Sequence, residues 1–166
     1  MQALDRRWGN MNSQSQTVDR NGTPHIVMYH RAEHGAPEWA RFNKDAAYFH
    51  YYRHADGHWQ QIKTPVIGNR PKLVADKQNN LYLVYVKKDH FDAQHEAAPL
   101  AVAKATAAAQ WKDWKEVFVT SEHYFNEPQV DFERWASEQV LSVLVQDAPA
   151  SMGAASAVKV IDIVLK

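Results

Sequence analysis

Three aspartates set the period of this chain. Asp19, Asp76 and Asp131 stand 57 and 55 residues apart, each at the end of a short β-prone run. Trp59 and Trp114 repeat at 55 residues, each in the last strand of its unit. Self-similarity at a fixed interval marks a repeat architecture, and a repeated unit of four short strands is a propeller blade. Blades of the common repeat families take about 40–50 residues, so these units carry longer loops. A β-sandwich with coincidental turn spacing is the alternative.

The runs between the anchors supply the strands. Residues 16–22 read as a strand entering a tight turn at Asp19–Gly22. His25–Arg31 and Tyr48–His54 follow, and Asp56-Gly57 returns the chain into His58–Lys63. The second unit repeats the order with Arg70–Asp76, Leu81–Lys87, Leu100–Ala105 and Trp111–Val119. The third has Pro128–Asp131, Val140–Gln146 and Val158–Leu165. Polar loops are expected over residues 31–44 and 89–99, and a small-residue loop over 148–156. The alanine-rich stretch 97–109 reads as strand and turn, because Pro99 and the repeat register oppose a helix. The expected fold is therefore all-β, a partial β-propeller of about three four-stranded blades over 14–66, 67–122 and 123–166. Asp19, Asp76 and Asp131 are expected to cap their own turns. Trp59, Trp111, Trp114 and Trp135 are expected to pack between blades.

Composition narrows the function classes. The chain has 166 residues, with 19 basic against 19 acidic side chains. That balance opposes reading nucleic acid through net charge, but leaves room for a local basic cleft. No apolar run approaches the roughly 20 residues of a membrane-spanning helix. Cysteine is absent, so disulfides, thiolate nucleophiles and cysteine–zinc sites are excluded. Nine histidines are the unusual feature. Three blades do not close a ring, which takes about 4–8. The expectation is a piece of a longer chain, with the remaining blades upstream, or assembly with other copies.

Several runs resemble one family. Gln14–Asp19 with Gly22–His25, Phe49–Arg53 with Asp56–Trp59, Asn69–Leu73, and Glu127–Asp131 with Arg134-Trp135 and Val140–Val143 are similar, in order, to blade motifs of the BNR-repeat polysaccharide lyases. That group includes ulvan lyases acting on rhamnose–uronate polymers. The resemblance implies a seven-bladed ring of which this chain is the C-terminal portion. It also implies β-elimination on an anionic polysaccharide, and export of the protein to the periplasm or medium. No leader of basic then apolar residues follows Met1, so a signal peptide would lie outside this sequence. Tyr52 departs from the pattern, standing where the family often has Trp.

The elimination needs a cation to neutralise the uronate carboxylate, a base for the C5 proton and an acid for the leaving oxygen. Arginine suits the first task, with a planar fork that keeps its charge. Histidine or tyrosine suits the others, a tyrosine base needing a pKa lowered by a nearby cation. The resemblance implies Tyr52, or else Tyr51, as acid/base and Arg70 against the carboxylate. His30 and His50 are candidates for base or carboxylate contact. His25, Arg53 and His123 are candidates for substrate binding. No H-E-x-x-H spacing exists, so no catalytic metal is expected, although a structural ion is compatible with the histidines. The alternatives are a non-catalytic carbohydrate-binding propeller and a sialidase-like glycoside hydrolase. The second requires an acidic pair or an acid-partnered tyrosine, which the histidine-rich strands do not offer.

Overall fold

The structure, a computed structural model, describes residues 14–31, 46–88, 97–151 and 153–165. The polar loops expected over 31–44 and 89–99 lie almost wholly outside these residues. The described strands are β1 (Gln14–Val18), β2 (Pro24–Arg31), β3 (Ala46–Arg53), β4 (Trp59–Lys63), β5 (Gly68–Ala75), β6 (Leu81–Lys87), β7 (Ala98–Ala105), β8 (Lys115–Val130), β9 (Leu141–Asp147) and β10 (Val158–Ile163). One helix, α1 (Phe132–Glu138), precedes β9.

Neighbours in sequence are neighbours in space, and every pairing is antiparallel. Strands β1 to β4 form one sheet and β5 to β10 a second. The long strand β8 explains the size of the second sheet. Its first half pairs with β7, as Val102↔Phe118 shows. Its last residues pair with β9, as Val130↔Val143 shows. Register shifts separate the two halves, and Tyr124 faces both Ala98 and Asp147. Thus β8 is the outer strand of one four-stranded unit and the inner strand of the next. Residues 122 and 123 lie at this change of partner. The stretch 97–109 is strand and turn, with Leu100 to Ala103 fully buried. Trp114 sits one residue ahead of β8 rather than inside it.

The first sheet buries one face against the second. Val27, Tyr29 and Tyr48 join Leu73, Leu83, Tyr85 and Trp114 in one core. A second core lies between the second and third units, where Val74, Tyr82 and Val84 meet Trp135, Val143 and Ile163. The inner strands β1 and β5 lie side by side, and Ser15 Oγ accepts from the Leu73 amide at 2.9 Å.

Two aspartate turns take the expected form. Asp19 Oδ1 accepts from the amides of Asn21 and Thr23. Asp76 Oδ1 accepts from Gln78 and Asn80, while its Oδ2 accepts from Asn80 Nδ2 and the Tyr82 hydroxyl. The third aspartate differs. Asp131 caps α1, accepting from the Arg134 amide at 2.9 Å, in place of closing a tight turn. Helix-compatible residues follow it, and Trp135 is buried from α1 with its indole N–H donating to Ala75. The three devices are adjacent. The Arg20 amide donates to Asn79 Oδ1, and the Lys77 amide to Gln139 Oε1, both at 3.0 Å.

Asp76 is almost buried and satisfies four donors, whereas Asp131 caps an exposed helix end. Asp76→Ala should therefore destabilise the chain by about 2–3 kcal/mol, and Asp131→Ala by about 1 kcal/mol. Urea denaturation of both variants checks the order; equal costs would contradict it.

Candidate functional site

Strand alternation divides the predicted residues before any chemistry is considered. Tyr51 and Tyr52 are consecutive in β3 and project to opposite faces of the first sheet. Tyr52 shares its face with His25 and His50, and this face meets the second sheet. Tyr51 shares the other face with His30, Met28 and Phe49.

The first group is a buried stack. His25 and His50 are both 0% exposed and Tyr52 is 2% exposed. His25 Nδ1 lies 3.0 Å from His50 Nε2. His25 Nε2 faces Asp19 Oδ2 at 3.6 Å, a charge contact beyond ordinary hydrogen-bond length. A proton on the side facing the carboxylate leaves Nδ1 as acceptor from His50. His50 stacks on both His25 and Tyr52, and the edges of Trp111 and Trp114 close the group. Burial lowers the His25 pKa, with Asp19 pulling the other way. Burial, and then His25, brings His50 down to about 3. Both rings are therefore neutral at neutral pH and packed between blades.

The second group is a pair. His30 Nε2 meets the Tyr51 hydroxyl at 2.6 Å, with the His30 ring stacked on Phe49 at 4.1 Å between centroids. Each is 1% exposed. A short His–Tyr hydrogen bond can carry a proton between its partners. Burial pushes Tyr51 up to about 12, and also raises Tyr52. The expectation of a cation-lowered tyrosine is therefore reversed. Tyr51 is held in its protonated form, hydrogen-bonded to the His30 imidazole.

Arg70 forms the third group. Gly68 opens β5 against β6, where any Cβ would lie 2.3 Å from Tyr85 Cδ2. The ladder then breaks between Asn69 and Lys72, so Arg70 and Pro71 bulge opposite Tyr85. Arg70 takes φ 43°, a left-handed backbone that costs about 1–3 kcal/mol for a non-glycine residue. This bulge sets a half-exposed guanidinium on an inner strand, where it pairs with Glu127 of β8. Lys72 is close enough for its charge to repel Arg70; burial first, and then Arg70, lowers its pKa. Glu127 and Lys72 both lie in the quoted motifs, but no local pattern assigned either a role.

Topology places the groups along the sheet. The Asp19 and Asp76 turns lie at one end, joined by the Arg20–Asn79 hydrogen bond. His30 ends β2 and Arg70 begins β5, so both lie at the opposite end. His123, exposed and facing Pro99 across the ladder, lies at that end too. Arg53 and His25 lie at the turn end. Arg53 is exposed and its Nε donates to the Gly57 carbonyl at 3.2 Å. The structure thus joins His25, His50 and Tyr52, joins His30 and Tyr51, and leaves Arg53 apart from Arg70. Among the described residues, no group of three His, Asp or Glu side chains is placed to hold a metal ion.

The profile described as a BNR repeat-containing family member matches residues 1–67, a stretch that includes β1 to β4. Eleven chains of solved structures match. One is the crystal structure of polysaccharide lyase Uly1, at 14% identity and a TM-score of 0.55. The match covers 94% of this chain and 29% of that one. The chain has a polysaccharide-lyase-like, partial propeller fold, with the BNR-repeat match confined to residues 1–67. No curated protein sequence matches it.

The buried histidines predict an acid limb in stability. The folded pKa of His50 lies below the unfolded value near 6.5, so the unfolded chain binds the extra proton. Its contribution is fully present above about pH 6.5 and is lost as pH falls toward about 3. Between pH 7 and 5 the loss should be about 2 kcal/mol, and His50→Phe should flatten that part of the curve. Chemical denaturation at a series of pH values measures it. An unchanged slope in the variant would refute the assignment.

Proposed function

We propose that this chain carries part of the active site of a polysaccharide lyase that cleaves a uronate-containing, anionic polymer by β-elimination, as portions of a larger propeller. Arg70 carries the reading: a half-exposed arginine on a strained bulge of an inner strand. Backbone strain of this kind persists where the surrounding structure over-determines it, and it clusters at functional sites. Likeness of fold to a polysaccharide lyase supports the reaction class without fixing the substrate.

In the proposed reaction, Arg70 pairs with the uronate carboxylate and so acidifies the C5 proton. A base removes that proton, its electron pair forms the C4–C5 double bond, and the C4–O bond breaks. The departing oxygen takes a proton from an acid. His30, at the same end of the sheet as Arg70, is the proposed base, and Tyr51, whose hydroxyl reaches His30 from a backbone position nearer the turn end, the proposed acid. Arg70 is accessible as it stands, whereas His30 and Tyr51 are buried, so the reading rests on Arg70. His123 is the proposed further contact to the polymer at that end. Enclosure of His25, His50 and Tyr52 favours a second reading, a propeller that binds the polymer without turning it over.

Absorbance of the unsaturated uronate product separates the readings. The protein should generate it from a uronate polymer such as ulvan, and Arg70→Ala should lower kcat/KM by roughly 10²–10³-fold. Arg70→Lys should recover only part of this, having lost the planar fork. New reducing ends without absorbance would mean hydrolysis. Binding without either product would establish the second reading.

A further inference from the structure

The pairing of Arg70 with Glu127 has a consequence for ligand choice, which rests on the role proposed for Arg70. We infer that Glu127 is a specificity-determining residue: its carboxylate occupies Arg70 in the free protein, and a uronate carboxylate must displace it to bind. The two residues sit on adjacent inner strands, β5 and β8, and both are about half exposed. An incoming ligand can therefore reach the pair from solvent. Glu127 lies where the β8–β9 register shifts between Phe125 and Gln129, and Arg70 lies in its own bulge. Two breaks in regular pairing thus face each other across a blade boundary, and each aims a charged side chain at the other.

The chemistry of exchange follows from charge. A carboxylate of the polymer offers Arg70 the same two oxygens that Glu127 offers, so the exchange is one ion pair for another. A neutral sugar has nothing to exchange, and the guanidinium stays with Glu127. Lys72, close enough for its charge to repel Arg70, adds a second cation beside the pair. Glu127 therefore closes Arg70 to neutral sugars and makes an anion compete for it. It acts through Arg70, as a positioning and selecting group.

Calorimetric titration with a β-1,4-linked glucuronate tetramer, and with the neutral glucose tetramer as control, tests this. Removing a half-exposed partner and its repulsion of the ligand should tighten binding of the glucuronate tetramer to Glu127→Gln by about tenfold. Arg70→Ala should bind at least about tenfold more weakly than the parent. The double variant should match Arg70→Ala, since Glu127 has no effect without Arg70. If Glu127→Gln fails to fold by circular dichroism, Glu127→Asp replaces it; withdrawing the charge by one methylene should tighten binding by about threefold. Weakened Arg70→Ala with an unchanged or weaker Glu127 variant would overturn the inference and leave the role of Arg70 standing. Parent-like binding by both single variants would overturn that role, and the inference with it.

Discussion

The contact between the first two blades is the constraint on which the rest depends. A four-stranded sheet with apolar side chains on both faces is stable only when each face is covered. Here one face of the first sheet, from His25 through Val27 and Tyr29 to Tyr48, His50 and Tyr52, is covered by the second. Leu73, Tyr85, Trp111 and Trp114 supply the cover. Two histidines are enclosed in doing so. Enclosure keeps them neutral, mutually hydrogen-bonded and remote from solvent. The same packing brings β1 beside β5, and so sets where the bulge with Arg70 emerges.

Joints at the turn end hold that arrangement. The aspartate turns, Asn79 and Gln139 link each unit to the next through single hydrogen bonds to backbone amides. The indole N–H groups of Trp111 and Trp135 donate to Asn79 and Ala75, both beside the Asp76 turn. Those polar links lie at one end, while Arg70, Glu127, His30 and His123 lie toward the other. These hydrogen bonds between units are thus grouped at the turn end, and the Arg70–Glu127 ion pair is the link toward the other.

What was legible in the sequence was local. Asp19 and Asp76 announced their turns because an aspartate that accepts from amides two and four residues on needs no distant partner. Asp131 also ends a β-prone run but caps a helix, since the residues after it bury Trp135 through a helical turn. Alternation correctly separated Tyr51 from Tyr52. It did not say which face would meet the next blade, because that depends on tertiary packing. The histidine excess drew attention to chemistry, yet His25 and His50 serve packing. Arg70 was visible by type and motif. Its left-handed bulge, and its partner Glu127 from another blade, arise from contacts no local window contains.

His25 and His50 are enclosed between blades, and the proposed anion site is at Arg70. Ring-nitrogen NMR of the histidines, followed with pH and with added glucuronate tetramer, tests this arrangement most directly. His50 should still be neutral at pH 5, titrating only toward about 3, and neither His25 nor His50 should respond to saturating tetramer. Titration of His50 near its ordinary value of about 6.5, or a clear shift of either ring on binding, would contradict it.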